Sequence, residues 1–142
     1  MTISARNVFA GSVTALTEGP INAEVEITTA GGDKIVATLT EVSAKSLGLV
    51  VGSSAVAVLK ASAVVLQVGA PEYRFSARNQ LQGSVSGITQ GAVNSSVHLA
   101  LPGGTMLCAV ITNEAVAALG LVQGSAATAL FKAGQVLVGV PA

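Results

Sequence analysis

The four residues Ser4-Ala5-Arg6-Asn7 recur unchanged as Ser76-Ala77-Arg78-Asn79, 72 positions further along the chain. In the same register, residues 3–70 match residues 75–142 at about 28 of 68 positions without a gap. Such self-similarity over a whole chain is typical of tandem structural units. The sequence therefore predicts two copies of one unit, each about 70 residues long.

The repeat sets the expected domain boundaries. We expect a first domain at residues 1–69 and a second at residues 73–142, joined by the turn-rich segment Gly69-Ala70-Pro71-Glu72. Units of this size bury a limited core. The chain is 51% hydrophobic and only 10% charged, and its single cysteine, Cys108, excludes an internal disulfide. This composition favours packing against further copies of the chain.

The sequence pattern of each copy predicts five strands and one short helix. In the first copy the strands are expected at Asn7–Leu16, Ile21–Thr28, Lys34–Leu39, Ala55–Leu59 and Ala63–Val68. The helix follows the third strand, with Thr40 as N-cap and Gly48 near its end, and Thr112 and Gly120 repeat this pattern. The sequence therefore predicts an all-β fold with one short helix per repeat, built as two tandem OB-like Greek-key barrels.

Several functional classes are disfavoured by composition. A net charge of zero argues against a nucleic-acid partner, and no apolar run is long enough to span a membrane. The N-terminus shows no signal-peptide pattern, so we expect a cytoplasmic protein. With one histidine and one cysteine, the chain has no metal-binding constellation and no duplicated catalytic group. We therefore expect no cofactor, no bound metal cation and no enzyme activity.

The charges that the two copies share are all positive. Arg6 corresponds to Arg78 and Lys60 to Lys132, whereas no acidic residue has an acidic counterpart. Arginine offers a planar fork of donors that suits oxyanions, and lysine adds a mobile point charge. The pattern indicates a small-anion site. Whether Arg6 and Lys60 meet within one barrel or between chains stays open, as does the alternative that these residues are solvated surface charges.

The ordered set of motifs resembles the molbindins, which consist of Mop-type domains that bind molybdate. It comprises the Ser-Ala-Arg-Asn start, the Gly-x-(Val/Ile)-Asn-x-x-Val strand, the Gly-Gly turn, the Leu-Gly-Leu helix end and the Lys-Ala-x-x-Val strand, and it covers the chain twice. The resemblance implies OB-like barrels, a homotrimer of two-domain chains, and molybdate or tungstate held between domains.

The resemblance also implies two types of oxyanion site. For the inter-domain type it implies Ser4, Ala5, Arg6, Thr40, Val42, Ser43, Lys60 and Ala61 in the first copy, and Ser76, Ala77, Arg78, Thr112, Glu114, Ala115, Lys132 and Ala133 in the second. For the type on the threefold axis it implies Gly19, Ile21, Asn22, Gly91, Val93 and Asn94. Ala115 lacks the hydroxyl of Ser43. Pro20 has no N–H, which is expected to weaken the first axial site.

The expected function is molybdate or tungstate binding, storage and homeostasis inside the cell by a non-enzymatic homotrimer. No helix-turn-helix or ATPase segment precedes the repeats in this sequence, which favours storage over the regulator and transporter relatives. The alternative is a structural or interaction module whose apolar, duplicated barrel serves oligomer assembly. That alternative predicts that Arg6→Ala and Lys60→Ala variants assemble normally and show no ligand phenotype.

Overall fold

The computed structural model describes residues 1–142 as two similar halves. The first half contains β1 (Asn7–Glu18), β2 (Asn22–Thr29), β3 (Lys34–Thr40), α1 (Glu41–Ser46), β4 (Ser54–Leu59), a 3₁₀ helix (Ala61–Ala63) and β5 (Val65–Gln67). The second half contains β6 (Asn79–Gln90), β7 (Asn94–Ala100), β8 (Met106–Thr112), α2 (Asn113–Leu119), β9 (Ala126–Phe131), a 3₁₀ helix (Ala133–Gln135) and β10 (Leu137–Gly139). The predicted all-β class with one short α-helix per repeat is confirmed.

The strands follow the period-two pattern of the sequence. On β2, the side chains of Ala23, Val25 and Ile27 are buried, while the residues between them are partly exposed. Successive side chains of a strand point to opposite faces, so this alternation places one face of β2 in the core. The other face is left free to carry polar side chains such as Glu24.

The two halves exchange their closing strands. The first sheet has the order β10-β4-β1-β2-β3, and the second has the order β5-β9-β6-β7-β8. The pairing of β5 with β9 is antiparallel and runs from Val65↔Leu130 to Gln67↔Thr128, and β10 pairs with β4 in the same way. Each sheet therefore takes four strands from one half and one from the other.

This exchange corrects the expected role of the fifth strand. We expected Ala63–Val68 to complete the barrel of its own repeat, but the observed strand is shorter and joins the sheet of the other half. The chain crosses over at the 3₁₀ helix of residues 61–63, which packs against β8, while the 3₁₀ helix of residues 133–135 packs against β3. We call the surface formed by β3, β8 and these two 3₁₀ helices the seam. A short apolar run such as Ala63–Val68 predicts a strand, but it does not specify which sheet edge the strand joins.

One hydrophobic core serves both halves. It is a single cluster of 25 buried residues drawn from both halves of the chain, and Phe9 and Phe131 are its aromatic members. The rest of the cluster is Ala, Val, Leu and Ile. Because a unit of about 70 residues buries little apolar area by itself, joining the two cores increases the buried fraction of the chain.

Both α-helices begin and end at the expected residues. The Thr40 hydroxyl accepts a hydrogen bond of 3.1 Å from the backbone N–H of Ser43, and Thr112 caps α2 through Ala115 in the same way. Gly48 and Gly120 have φ values of 65° and 64°, the left-handed conformation that commonly follows a helix. Neither helix has the length or hydropathy needed to cross a membrane.

Candidate functional site

Asn7 and Asn79, the equivalent asparagines of the two repeats, connect each half to the other. The side-chain amide of Asn7 donates to the carbonyl of Cys108 and accepts from its N–H, both at 2.8 Å. Asn79 forms the same pair of 2.8 Å hydrogen bonds with the backbone of Val36. Both asparagines are almost completely buried. Each amide thus takes the place of a neighbouring β-strand along the third strand of the opposite half.

Because the asparagines are fixed at the seam, the preceding arginines also reach across it. Arg6 donates from Nη1 to the hydroxyl of Ser96 on β7, and the same atom lies 4.0 Å from the sulfur of Cys108. Arg78 donates from Nη1 to Glu24 Oε2 on β2 at 2.8 Å. Both arginines are exposed at the surface of the chain. Each therefore presents its remaining donors at the edge of the seam.

The lysine of each repeat lies beside its arginine in the β-ladder. Asn7, the first residue of β1, pairs with Leu59, the last residue of β4. Arg6 and Lys60 are therefore the next residues on these two neighbouring segments of the chain. The second repeat has the same arrangement at Arg78. The two shared cations of each repeat are 54 residues apart in the sequence. They nevertheless occupy neighbouring backbone positions within one half.

Each Lys-Ala segment begins a 3₁₀ helix at the seam. Lys60 is the N-cap residue and is exposed, whereas Ala61, the first helical residue, is buried. The first N–H bonded within this helix is that of Ala63, so the N–H groups before it have no intrahelical acceptor. Lys132 and Ala133 repeat the arrangement.

Two cavities open beside these segments. One, of about 570 Å³, is lined by Ser76, Ala77 and Lys132 of the second repeat together with residues from the first 3₁₀ helix and β5. The other, of about 490 Å³, is lined by Lys60 and Ser62 together with Gln135 and Leu137 of the opposite half. Each cavity is therefore lined by one of the two lysines predicted to bind an anion, together with residues from the other side of the seam.

The start of each helix lies two residues beyond the strand position that faces the arginine of the other half. Glu24, the partner of Arg78, pairs with Thr38, two residues before Thr40. Ser96, the partner of Arg6, pairs with Val110, two residues before Thr112. The resemblance groups each helix start with the arginine of its own repeat, and the strand registers also place it two residues beyond the position that faces the arginine of the other repeat. Val42, Ser43 and Glu114 are exposed there, and Ala115 is partly exposed.

The six residues expected on a threefold axis lie in two matching β-hairpin turns. The N–H of Gly19 donates to the carbonyl of Asn22 at 3.0 Å, and Gly91 donates to Asn94 at 2.8 Å. Ile21 and Val93, at the tips, are 74% and 70% exposed. Each turn is also tied to the first residue of the helix in its own half, through a 2.8 Å hydrogen bond from the N–H of residue 41 or 113.

The residue at the start of each helix differs between the two turns. Asn113 donates from Nδ2 to the carbonyl of Gly91 at 2.9 Å and accepts from the Ser95 hydroxyl. Glu41 occupies the equivalent position in the first half, where it is buried and its Oε2 has no hydrogen-bond partner. The first turn therefore carries a buried carboxylate where the second carries a satisfied amide.

The Gly-Gly turns of the two halves pack against each other at the seam. A Cβ atom at Gly31 would overlap the carbonyl oxygen of Gly103. Asp33 accepts from the N–H of Gly103 at 2.9 Å and from that of Thr105 at 3.1 Å. Burial acts to raise the pKa of Asp33, but hydrogen bonds from the Thr105 side chain and from these two N–H groups outweigh it and lower the pKa below its ordinary value.

Few of these contacts between the halves could be predicted from the sequence. Asn7 and Asn79 were visible as repeated residues, and that repetition was the one available signal for their role. Glu24 and Asp33 each occur in one copy alone, so nothing in the repeat singled them out. No cluster of three His, Cys, Asp or Glu side chains capable of holding a metal ion is present.

A family model for the TOBE domain matches this chain twice, at residues 3–66 and 76–138. The chain belongs to the TOBE-domain family. The two TOBE repeats coincide with the two halves described above, and each matched segment extends from the Ser-Ala-Arg-Asn motif to the exchanged strand.

The tandem TOBE chain is also similar to named relatives. It is 49% identical over 140 residues to the molybdenum transport protein ModE of Herbaspirillum seropedicae and 43% identical over 141 residues to the molybdenum-pterin-binding protein MopA of Rhodobacter capsulatus. These alignments cover 99% of this chain but 52% and 53% of the relatives. The chain thus spans about half the length of the curated relatives it matches.

A solved structure matches the TOBE pair over its full length. It is the cytoplasmic molybdate-binding protein ModG in a form with molybdate bound, with 54% sequence identity and a TM-score of 0.94. The match covers 99% of this chain and 100% of that one. Together these matches confirm the resemblance to the molbindins and the tandem OB-like fold.

Proposed function

We propose that this protein binds molybdate or tungstate and stores it inside the cell, with the anions held at interfaces between domains of a homotrimer. The observation that carries the proposal is the duplicated Arg-Lys pair: in each half the two cations occupy neighbouring strand ends beside the seam. The molybdate-bound ModG structure, similar over its whole length, supports the choice of ligand. The site is a binding site and not a catalytic one, and the protein acts in the cytoplasm.

The inter-domain sites are proposed to combine charge with close backbone approach. A tetrahedral dianion bonded to the guanidinium, the ammonium and nearby N–H groups receives charge-assisted hydrogen bonds worth about 1.5–3 kcal/mol each. Four to six such bonds together contribute roughly 6–18 kcal/mol, which is comparable with or larger than the roughly 8 kcal/mol of micromolar binding before ordering costs are subtracted. The small side chains of Ala5, Ala61, Ala77 and Ala133 leave room for this approach.

The axial sites are proposed to form where three copies of a hairpin turn meet. Ile21, Val42 and Val93 are 74%, 79% and 70% exposed and lie at or beside these turns. Exposed apolar side chains of this size favour burial against another subunit. The first axial site is the weaker of the two, because Pro20 supplies no N–H and Glu41 adds a buried carboxylate.

A thermal unfolding series tests the proposed function. The protein is heated with molybdate, tungstate, sulfate or phosphate, and light scattering in solution gives its oligomeric state. An anion at 100 times its dissociation constant stabilises the native state by about 2.7 kcal/mol. We expect this with molybdate and tungstate, and a much smaller effect in Arg6→Ala and Lys60→Ala variants. No stabilisation by any oxyanion excludes storage, and equal stabilisation by all four reduces the function to general anion binding.

A second candidate function is favoured by the exposed apolar residues alone. In this case the duplicated barrel is a structural or interaction module and the oligomer surface is its purpose. The same Arg6→Ala and Lys60→Ala variants distinguish the two functions. If both assemble as the parent does and the parent shows no stabilisation by molybdate or tungstate, the interaction module is the better description.

A further inference from the structure

The residues bonded to Arg6 and Arg78 differ in charge although they occupy equivalent positions in the repeat. We call Arg6, Lys60, Ala61 and Ser96 the Arg6 corner, and Arg78, Lys132, Ala133 and Glu24 the Arg78 corner. Residues 24 and 96 are 72 positions apart, so they occupy the same place in the repeat. Arg6 is held there by a neutral hydroxyl, whereas Arg78 is held by a carboxylate at 2.8 Å.

We propose that Glu24 is an internal competitor for the anion at the Arg78 corner, so that the Arg6 corner binds a dianion first. This inference rests on the proposed function, because it assigns different affinities to the two proposed seam sites. A dianion that approaches Arg78 must share or displace the Glu24 carboxylate, which occupies one donor of the guanidinium. At the Arg6 corner the anion meets two cations and no bonded carboxylate.

Repulsion adds to this competition. If Glu24 is displaced from Arg78, its negative charge stays close to the bound dianion, and like charges within a few ångströms disfavour binding. The other carboxylate on the same face of β2, Glu26, is paired with Lys34 at 3.8 Å and bonded by Thr14. Glu24 is therefore the β2 carboxylate that is bonded to a seam-site arginine.

The solvent exposure of the Arg78–Glu24 pair determines how strongly Glu24 is expected to lower the affinity for a dianion. The side chains of Arg78 and Glu24 are 57% and 36% exposed, so water screens their interaction. Pairs of this kind contribute little to stability, and a competing anion can displace them. We therefore expect Glu24 to lower the affinity of its corner for a dianion by about three- to tenfold. The hydroxyl of Ser43 also lies near the Arg78 corner. None of the variants described below changes Ser43.

The repeat supplies matched variants for the test. Molybdate binding to the assembled protein is measured by calorimetric titration for the parent, Glu24→Ser, Ser96→Glu and the double variant that exchanges the two residues. The parent is expected to show a tighter and a weaker class of seam site. In Glu24→Ser the weaker class becomes about three- to tenfold tighter, in Ser96→Glu the tighter class weakens by a similar factor, and the double variant again shows two classes.

Arginine variants assign the classes to the corners. In the parent background, Arg6→Ala is expected to remove the tighter class and Arg78→Ala the weaker one, and the exchange variant reverses this assignment. Glu24→Gln keeps the size of the side chain and serves if Glu24→Ser fails to assemble. Glu26→Gln, on the same strand but bonded away from Arg78, is the control and is expected to leave both classes unchanged.

The outcomes separate this inference from the proposed function. If the parent binds molybdate with affinities that neither Glu24→Ser nor Glu24→Gln alters, competition by Glu24 is wrong and the storage function stands. The same holds if Arg78→Ala, and not Arg6→Ala, removes the tighter class. If the assembled parent binds no oxyanion at all, the proposed function fails and the inference fails with it.

Discussion

The side chain of Asn7 forms two 2.8 Å hydrogen bonds with the backbone of Cys108, 101 residues away on the other half of the chain. An amide that matches both the N–H and the C=O of one residue imitates the edge of a β-strand. Its position directly after Arg6 means that the same contact fastens the two halves and sets the location of the cation. Structure and proposed site therefore depend on one short segment.

Replacing Asn7 by Ala is expected to lower the free energy of unfolding by about 2–4 kcal/mol. The substitution leaves the buried N–H and C=O of Cys108 without partners, and each such group costs about 1–3 kcal/mol. Asn79→Ala is expected to cost a similar amount through Val36. Urea denaturation measures both, with the exposed Thr89→Ala on β6 as control. A cost for Asn7→Ala no larger than that of the control would contradict the assigned role.

Adding a methyl group at Gly31 is expected to separate the Gly-Gly turns and destabilise the seam. The new Cβ overlaps a backbone carbonyl, which cannot move as a flexible side chain can, so a loss of about 1–3 kcal/mol or more is expected. Gly134→Ala is the control, because a Cβ there meets nothing within 4 Å. Thermal unfolding compares the two variants. Equal melting temperatures would show that the turns do not pack as described.

Asp33 is expected to make stability depend on acid pH. Its pKa is lowered in the folded state from an ordinary value of 3.8, so its contribution is fully present above that value and is lost as the pH falls through the folded pKa. Asp33→Asn is expected to be less stable at pH 7 and to lose less stability between about pH 4 and pH 2. Urea denaturation at several pH values tests this, with Glu72→Gln in the exposed linker as control. Parallel losses in parent and variant would exclude the assignment.

Replacing Glu41 by Asn is expected to stabilise the protein by about 1 kcal/mol or more. The substitution copies the second half, where Asn113 bonds to the carbonyl of Gly91, and it removes a buried oxygen that has no partner. The reverse change, Asn113→Glu, is expected to destabilise the chain. Unfolding of the assembled variants measures both effects. A less stable Glu41→Asn protein would indicate that the carboxylate has a partner in the assembled state.

Cutting the linker is expected to leave the two halves together. A protease site placed at residues 70–74 lies outside every strand, and after cleavage each fragment still supplies one strand to the sheet of the other. The fragments are expected to co-elute in gel filtration and to separate in denaturant. Fragments that elute apart under native conditions would rule out the exchange of β5 and β10. The control is uncut protein carrying the same insertion.

Much of the fold could be predicted because its signals are local. The alternation at Ala23, Val25 and Ile27 marks a strand, and the Thr40 cap marks a helix start, from neighbouring residues alone. The exchange of β5 could not be predicted, since the residue types of Val65–Gln67 indicate a strand and not the strand that it pairs with. A pattern in one strand does not record which partner it joins.

In the proposed site, the sequence indicates the residues that the two copies share and does not indicate the others. Arg6 and Lys60 are indicated by the sequence because both copies keep them, and the register places them side by side. Glu24 lies 54 residues from Arg78, and its pairing depends on how the halves pack. Such a contact arises from tertiary structure, and no spacing rule within one repeat predicts it.

The strand exchange has a consequence for the concentration at which this unit can form. A lone repeat would have to obtain its closing strand from another molecule, and its folding would then depend on how many copies were present. With two repeats in one chain, the donor is always within reach at an effective concentration in the millimolar range. Both sheets can therefore be completed within a single molecule, even when the concentration of the protein is low.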